Sequence, residues 1–241
     1  MQRMTNPMTE TPPDTVLTGI SSMATRLLIG ELAAAYTQRS GCGVAIESVG
    51  GVDAARRVQA GEVFDVVMLA SDAIDRLIAS GHLMAGSRTD LFRSPVALAV
   101  QEGAPAPDIS SEDAVKQAFL AARSVGYSTG PSGTHLMTLI ERWGLSASLA
   151  GRTVQAPPGV PVAALVARGE VDLGLQQRSE LLHQTGIRVL GNLPPGAEFI
   201  TTFSAGLCAG RANGEAVRAL LDFVTSPEAA ATVRAHGMEP A

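Results

Sequence analysis

Hydrophobic residues in this chain form short runs that alternate with amphipathic stretches, separated by glycine, proline and polar turns. Short apolar runs are typical of buried strands, and apolar stripes at helical spacing are typical of surface helices. Strands are predicted at Thr15 to Ile20, Val44 to Val49, Phe64 to Ala70, Val96 to Val100, Ser124 to Ser128, Val171 to Gln176, Ile187 to Leu190 and Phe199 to Ala209. Helices are predicted from Met23, at Val52 to Ala60, from Ser71 toward Gly81, at Asp113 to Ala122, up to Trp143, and at Val162 to Arg168, Glu215 to Thr225 and Pro227 to His236.

The first three strands each run into a helix, and this repetition predicts a parallel sheet. Phe64 to Ala70 is apolar throughout, as expected of a strand buried on both faces. A second block of strands and helices begins after Arg93-Ser94-Pro95. The pattern therefore predicts an α/β protein with a second lobe.

Composition sets bounds on this interpretation. The chain has 241 residues, which is more than the ~100–150 residues usual for one domain. Hydrophobic residues make up 46% of it, enough to form a buried core. A net charge of -5 with interspersed signs leaves no basic stripe for a phosphate backbone, so we expect no nucleic-acid partner. Cys42 and Cys208 show no metal-ligand spacing, and we interpret them as small buried hydrophobes.

The first residues carry no strong targeting signal. Residues 1–14 hold threonine, proline and asparagine but no apolar run of the ~7–15 residues that a signal peptide needs. We expect a disordered leader and, for the chain as written, a cytoplasmic location. The location would be periplasmic if the true start lies upstream.

Ligand chemistry is expected where strands end. Open parallel sheets bind ligands at the carboxyl ends of their strands, where helix N-termini carry roughly half a positive charge. Each of four loops there combines glycine with hydroxyls or free amides, and together they predict an anion site. The loops are Gly19 to Ser22, Val49 to Gly51, Ser128 to Thr134 and Pro158 to Pro161. Any one of them alone is more typical of a plain cap or turn, so the prediction depends on the set.

Other chemistries lack their signatures. Gly130-Pro131-Ser132-Gly133 has neither the lysine nor the spacing of a phosphate-binding P-loop, and no GxGxxG follows a strand. No serine lies in a nucleophile elbow. We therefore expect neither a nucleotide nor a metal or other cofactor.

Several segments, in this order, resemble the molybdate-binding protein family of type II periplasmic binding proteins. The resemblance covers about residues 15 to 240. It is carried by Gly19 to Ser22, Ala54 to Met68, Pro131 to Gly133, Ala167 to Gly174, Ser226 to Ala230 and Gly237 to Pro240. It implies a two-lobed α/β fold with a ligand cleft between the lobes, the binding component of an ABC importer. Lobe I is expected at 15–92 plus 201–241 and lobe II at 95–198, with crossovers near Arg93 to Pro95 and Phe199 to Thr202.

The same resemblance implies which residues hold the ligand. The family's first ligating serine falls on Ser21, whereas its second falls on Gly50 or Gly51 and its ligating tyrosine on Gln177. Arg178 adds a guanidinium that suits a carboxylate, because it can form two parallel hydrogen bonds. The candidate ligand-binding residues are Ser21, Ser22, Gly50, Gly51, Ser132, Gly133, Thr134, Val160, Gln177 and Arg178.

Tyr127 to His135 and Gln177 to Glu180 are also similar to a divergent branch of this family that contains aconitate isomerases. Isomerisation needs a group that titrates near neutrality, and His135 is the first candidate. The same histidine is also consistent with a solvated or capping role. Glu180 and Tyr127 are the next candidates.

Two functions therefore stay open. One is a small-anion binding protein, which would need export and a permease partner. The other is a cofactor-free isomerase of a small tricarboxylate, which could act in the cytoplasm. In either case we expect a small anionic ligand and a monomer.

Overall fold

The computed structural model describes residues 16–241, and the predicted leader lies outside the described residues. The strands are β1 (Val16–Ser22), β2 (Gly43–Val49), β3 (Val66–Ala70), β4 (Thr89–Gln101), β5 (Val125–Tyr127), β6 (Thr153–Gln155), β7 (Leu173–Gln177), β8 (Ile187–Asn192), β9 (Ile200–Leu207) and β10 (Glu239–Pro240). The helices are α1 (Arg26–Ser40), α2 (Gly51–Gln59), α3 (Ser71–Ala79), α4 (Glu112–Ala121), α5 (Pro131–Arg142), α6 (Val162–Ala167), α7 (Arg178–Leu181), α8 (Gly214–Val224) and α9 (Ala230–Ala235).

The predicted elements are present, with three kinds of difference. The first strand continues through Ser22, which caps a short 3-10 helix, so α1 begins only at Arg26. Strand β4 is much longer than predicted. The prediction begins the strand after Pro95, whereas Pro95 lies inside it, at a junction where the pairing partner of the strand changes. Strands β6 and β10 and the single-turn α7 are too short for an apolar period to show.

The sheet order is β2-β1-β3-β9-β4-β7-β5-β6. Strands β1, β2 and β3 are parallel, which confirms the repeated strand and helix units. Strands β9 and β4 run antiparallel to their neighbours and join the two halves of the sheet. Pro95 of β4 pairs with Ile200 of β9, and the next residue, Val96, pairs with Gln177 of β7.

Each half of the sheet has its own core. One large cluster contains Leu28, Phe92 and Phe203, and another contains Phe119 and Leu175. The two cores lie on either side of the junction in β4, so the chain forms two lobes. The residue bounds given above for the lobes stay a prediction.

Cys42 and Cys208 are both buried, and they lie in separate clusters of the core. Among residues 16–241, no helix is long and apolar enough to cross a lipid bilayer.

Candidate functional site

A cleft of about 950 Å³ lies at the junction of the two lobes. Its walls are formed where β1, β2 and β3 end on one side and where β5 and β7 end on the other. Residues from the β9 crossover, including Thr201, form part of the lining as well. The cleft therefore lies at the carboxyl ends of the strands, as the parallel sheet predicts.

Helix α5 presents an uncapped N-terminus to this cleft. Within the described structure no side chain caps α5, and its first turn carries no acidic residue. By contrast, α4 in the same lobe begins away from the cleft and is capped by Ser111, whose hydroxyl accepts from the Ala114 amide at 3.2 Å. Pro131 has no N–H, and the Gly133 and Thr134 amides bond to the Gly130 carbonyl at 3.0 and 3.1 Å. The Ser132 amide is the first-turn donor left for an anion at the start of α5.

Ser132, Gly133 and Thr134 of this helix differ in position. Ser132 and Thr134 line the cleft, and the buried Ser132 hydroxyl is 3.1 Å from that of Ser128. Gly133 faces the Ser128 carbonyl instead, where an added Cβ would lie 1.7 Å from the oxygen. The part of Gly133 in ligand binding stays a prediction. Glycine is needed there because the preceding loop packs directly against the helix.

The serines at the end of β1 also separate. Ser21 is fully buried and its hydroxyl is 2.7 Å from that of Ser48 in β2. The assignment of Ser21 as the ligating serine stays a prediction. Ser22 lines the cleft beside Gly51, and its hydroxyl also caps the short helix at Ala24. Strand alternation accounts for the difference, because neighbouring side chains point to opposite faces.

Three other predicted residues lie in the lining. Gly50 and Gly51 begin α2, and Val160 lies in the loop before α6. That loop turns at Gly159, whose φ of 76° is in the left-handed region that favours glycine. The structure thus brings together at one cleft the loops that the sequence places far apart.

Gln177 and Arg178 follow each other but face different surroundings. Gln177 is 2% exposed, donates from Nε2 to Thr201 Oγ1 at 2.6 Å and lines the cleft. Its Oε1 is buried and has no hydrogen-bond partner among the described residues. Arg178 bonds to Asn192 Oδ1 at 3.1 Å and lies outside the lining of the cleft, and its role in holding the ligand stays a prediction.

His135 lines the cleft, but its ring is already engaged. Its Nε2 donates to the Ala197 carbonyl at 2.8 Å, and the ring stacks on Phe199 with centroids 4.5 Å apart. Burial lowers the pKa of His135, which outweighs the effect of the bond to Ala197. The ring is therefore neutral at pH 7 and its Nδ1 is an acceptor. Its catalytic role stays a prediction.

Glu180 is the titratable group most affected by the cleft. It lies in α7, directly after the cleft end of β7, and keeps a little exposed surface although protein surrounds it on most sides. This burial raises the pKa of Glu180 to about 7, opposed only in part by a hydrogen bond from Gln176. Such a carboxyl is divided between its acid and base forms at neutral pH.

Gln176 fixes the orientation of that hydrogen bond. Its Oε1 accepts from the Ala163 amide at 3.2 Å, at the start of α6, and its Nε2 donates to Glu180 Oε1 at 2.8 Å. Because a backbone amide can only donate, the side-chain amide cannot be reversed without losing this bond. Glu180 Oε1 is thereby kept as an acceptor, and Oε2 is the oxygen that carries the proton.

Two guanidinium groups lie on the opposite wall. Arg56 of α2 pairs with Asp53 at 3.0 Å, and Arg76 of α3 pairs with Asp72 at 2.8 Å. Both arginines line the cleft and are largely exposed, so each can turn donors toward a ligand. The two walls therefore offer different groups, helix amides and a titrating carboxyl on one and cationic side chains on the other.

Sequence reasoning missed Gln176 and Arg76 and gave Glu180 only a secondary place. The position of Glu180 three residues after a buried strand was the available signal, since that position lies at the carboxyl end of the sheet. Nothing in the sequence marked Arg76, which lies one turn after Asp72 in an ordinary surface ion-pair pattern. Within the described residues, no group of three or more acidic, histidine or cysteine side chains is placed to hold a metal ion.

Comparison with known proteins gives two kinds of likeness. The model of the family described as bacterial extracellular solute-binding protein matches residues 17–239. The chain is also 38% identical over 240 residues to an aconitate isomerase from Pseudomonas sp, covering 97% of this chain and 91% of that protein.

Solved structures share the fold at low identity. The periplasmic molybdate-binding protein of Azotobacter vinelandii superposes with a TM-score of 0.78 at 18% identity, covering 92% of this chain and 98% of that one. The sulfate-binding protein of Mycobacterium tuberculosis gives a TM-score of 0.74 at 17% identity, covering 94% and 87%. These likenesses confirm the predicted two-lobed type II binding-protein fold.

Proposed function

This chain belongs to the bacterial extracellular solute-binding protein family, and from that premise we propose that its cleft binds a small unsaturated tricarboxylate of the aconitate type and isomerises it. The observation that carries the proposal is Glu180, a carboxyl in the cleft wall whose burial brings its pKa to about 7. A receptor for a permanently charged anion has no need of such a group. The relative named as an aconitate isomerase, which is matched over 91% of its own length, supports the same function.

Binding of the substrate carboxylates is assigned to groups from both lobes. The uncapped, acid-free start of α5 offers the Ser132 backbone amide to one carboxylate. Arg56 and Arg76 face the cleft from lobe I and can each hold a planar carboxylate through parallel hydrogen bonds. An extended ligand with three carboxylates can engage both walls at once, whereas a compact tetrahedral anion cannot use all of these donors together.

The reaction moves one allylic proton. Glu180, as a carboxylate, accepts a proton from the methylene carbon of the substrate, and the electrons of that C–H bond form a new double bond to the central carbon. The electrons of the old double bond move onto its far carbon and the adjoining carboxylate, where cationic groups stabilise the charge. Glu180 then returns the proton to that far carbon. One C–H bond is broken, one is formed and the composition is unchanged.

The geometry of Gln176 suits this role. Because Glu180 Oε1 is held by Gln176, the substrate proton is taken up and released by Oε2, from a fixed direction. A carboxyl with a pKa near the working pH is an effective base in one step and an effective acid in the next. His135 can add an acceptor at Nδ1, but its low basicity makes it the weaker proton carrier.

The experiment is to incubate purified protein with cis-aconitate or trans-aconitate alone and to follow both isomers by proton NMR. The wild type should approach the same equilibrium mixture from either side, and Glu180→Gln should not. His135→Gln serves as the matched comparison, because it changes another titratable side chain of the same cleft. No interconversion by folded wild-type protein would contradict the proposal.

A second function is favoured by the helix ends alone. Neutral donors at helix N-termini suit a tetrahedral oxyanion, and proteins with the same fold are named for molybdate and sulfate. Under this alternative the protein is an oxyanion receptor that delivers its ligand to an ABC permease. A thermal-shift panel separates the two, since only the favoured ligand raises the melting temperature by mass action. The panel should contain molybdate, tungstate, sulfate, citrate and both aconitates.

Location is part of the same proposal. An isomerase can act in the cytoplasm or the periplasm, whereas a receptor acts only where its permease is reached. We propose that the chain acts as an isomerase in the cytoplasm. Fractionation of the native host, with detection by antibody, tests this, and recovery in the periplasmic fraction would favour the receptor.

A further inference from the structure

A smaller cavity of about 100 Å³ adjoins the cleft and shares Glu180 with it. We call this cavity the rear crevice and define it by Ser179, Glu180, His183 and His236. Met23, Ala24 and Pro161 also line both cavities. Glu180 thus stands at the partition between the cleft and the rear crevice.

The rear crevice has a mixed lining, in which apolar residues such as Leu27 and Leu28 lie beside several polar side chains. His183 Nε2 lies 3.1 Å from His236 Nδ1, and His236 Nε2 lies 2.8 Å from Glu31 Oε2. The Ser179 hydroxyl is buried and has no hydrogen-bond partner among the described residues. A cavity needs only ~10–15 Å³ and a few polar partners to hold one water, so this cavity is suited to several.

The two histidines join the lobes at this point. His183 follows α7 in lobe II, whereas His236 follows α9 in lobe I. His183 is exposed to solvent and His236 is buried, so their hydrogen bond runs from the surface to the wall of the crevice. The charged residues beside this pair are Glu31, which bonds to His236, and Arg26, which lines the crevice.

A proton carrier that is covered by its ligand can exchange its proton with solvent only if another face of the side chain is in contact with water. At neutral pH a share of the molecules holds a proton on Glu180 when the ligand enters, because the pKa of this carboxyl is about 7. These molecules cannot accept a proton from the substrate. When a ligand occupies the cleft, the rear crevice is a second opening beside Glu180.

We propose that the rear crevice is a solvent path through which Glu180 exchanges its proton while the cleft is occupied. This role rests on the proposed isomerase function. Water in the crevice takes the proton from the Glu180 carboxyl and passes it to bulk solvent past His183. In the reverse direction, a proton from bulk solvent reaches the Glu180 carboxylate by the same water. No oxidant, reductant or other reactant is consumed.

The test measures solvent deuterium in aconitate during isomerisation in deuterated water, by mass spectrometry of both isomers. The quantity compared is deuterium taken up per isomerisation event. The wild type should incorporate solvent deuterium, since Glu180 exchanges between proton uptake and return. His183→Trp, which places a large apolar ring at the exposed mouth, should lower this uptake several-fold while isomerisation continues.

The matched variant at the same position is His183→Ala, which removes the imidazole but leaves the opening. It should take up deuterium as the wild type does. His82→Trp controls for the introduced ring, because His82 lies outside both cavities. If His183→Trp does not fold, Gln184→Trp narrows the same crevice from the neighbouring position.

Each outcome decides the matter. Unchanged deuterium uptake in folded, active His183→Trp would overturn the solvent path and leave the isomerase intact. An equal fall of deuterium uptake in His183→Ala would also overturn the solvent path, because this variant leaves the crevice open and exchange would then depend on the imidazole itself. A wild type without isomerase activity would overturn the proposed function itself, and this role with it.

Discussion

Two carboxyl groups at opposite ends of the sheet behave in opposite ways. Asp65 directly precedes β3, at the amino end of the strands, and is 1% exposed. Burial alone would raise its pKa, but hydrogen bonds from the Thr18 amide and hydroxyl, Arg211 and Asn213 lower it overall. Glu180 lies at the carboxyl end and receives one bond, from Gln176, so burial raises its pKa to about 7.

The difference shows how one fold separates stability from chemistry. At the amino end of the sheet a buried charge is satisfied from several sides and stays ionised. At the cleft end a buried carboxyl receives a single hydrogen bond, which costs stability and creates reactivity. The number of hydrogen bonds that a buried carboxyl receives therefore separates the two ends of the sheet.

The largest expected effect is that of Glu180→Gln on turnover. Loss of the proton carrier should lower the rate of aconitate isomerisation by ~10²–10⁴-fold, the usual contribution of a general acid–base group. The same variant should be at least as stable as the wild type at pH 8, because the amide does not carry the desolvation cost of a buried carboxylate. NMR assays and urea unfolding measure the two effects. A variant that unfolds more readily at pH 8 would break the contrast.

Asp65→Asn should have the converse effect, with stability lost and activity kept. Removing one partner of a buried charge network leaves donors unpaired, and we expect a loss of about 3 kcal/mol in the free energy of unfolding. Because the folded pKa of Asp65 is lowered, its contribution is present above the ordinary pKa and is lost as pH falls through the folded value. The acid limb of the stability profile should therefore flatten in the variant. Urea unfolding across pH, with assays under native conditions, checks this.

A smaller effect concerns the uncapped helix. Ser132→Pro removes the backbone donor at the second position of α5, and we expect it to weaken carboxylate binding by about 1.5–3 kcal/mol. Ser132→Ala keeps the amide and should lose far less. Calorimetric titration with aconitate compares the two. An equal loss in both folded variants would show that the hydroxyl, and not the helix end, holds the anion.

The smallest expected effect is a displacement of the pH profile by Gln176→Leu. The hydrogen bond from Gln176 lowers the pKa of Glu180 against the larger effect of burial, so its removal should raise that pKa further. The acid limb of kcat/KM should move to higher pH while the maximal rate changes less. A limb that stays in place would mean that Gln176 does not act on Glu180.

Much of the fold could be predicted because it depends on periodic burial. The apolar run at Phe64 to Ala70 and the stripe along α1 are set by core packing, which a sequence pattern records directly. Pro95 concealed the length of β4, because proline usually ends a strand and here lies where the strand passes between lobes.

The site could be predicted only in outline. The loops around Gly50, Ser132 and Val160 do converge, since that follows from topology. Whether Ser21 or Ser22 faces the cleft depends on the phase of one strand, and a shift of one residue reverses the answer. The state of Glu180 depends on how much protein surrounds it, a three-dimensional quantity that local sequence does not contain.

The most direct test of the account is the titration of Glu180 itself. The carboxyl carbon can be followed by NMR in protein labelled with carbon-13 glutamate, and its signal is assigned by its disappearance in Glu180→Gln. We expect a midpoint of about 7 for Glu180, coinciding with the acid limb of isomerase activity, while the pKa of Asp65 in a parallel aspartate-labelled sample lies below its usual range. A Glu180 midpoint near the ordinary value of 4.5 would contradict the claim that the cleft holds a carboxyl poised for proton transfer.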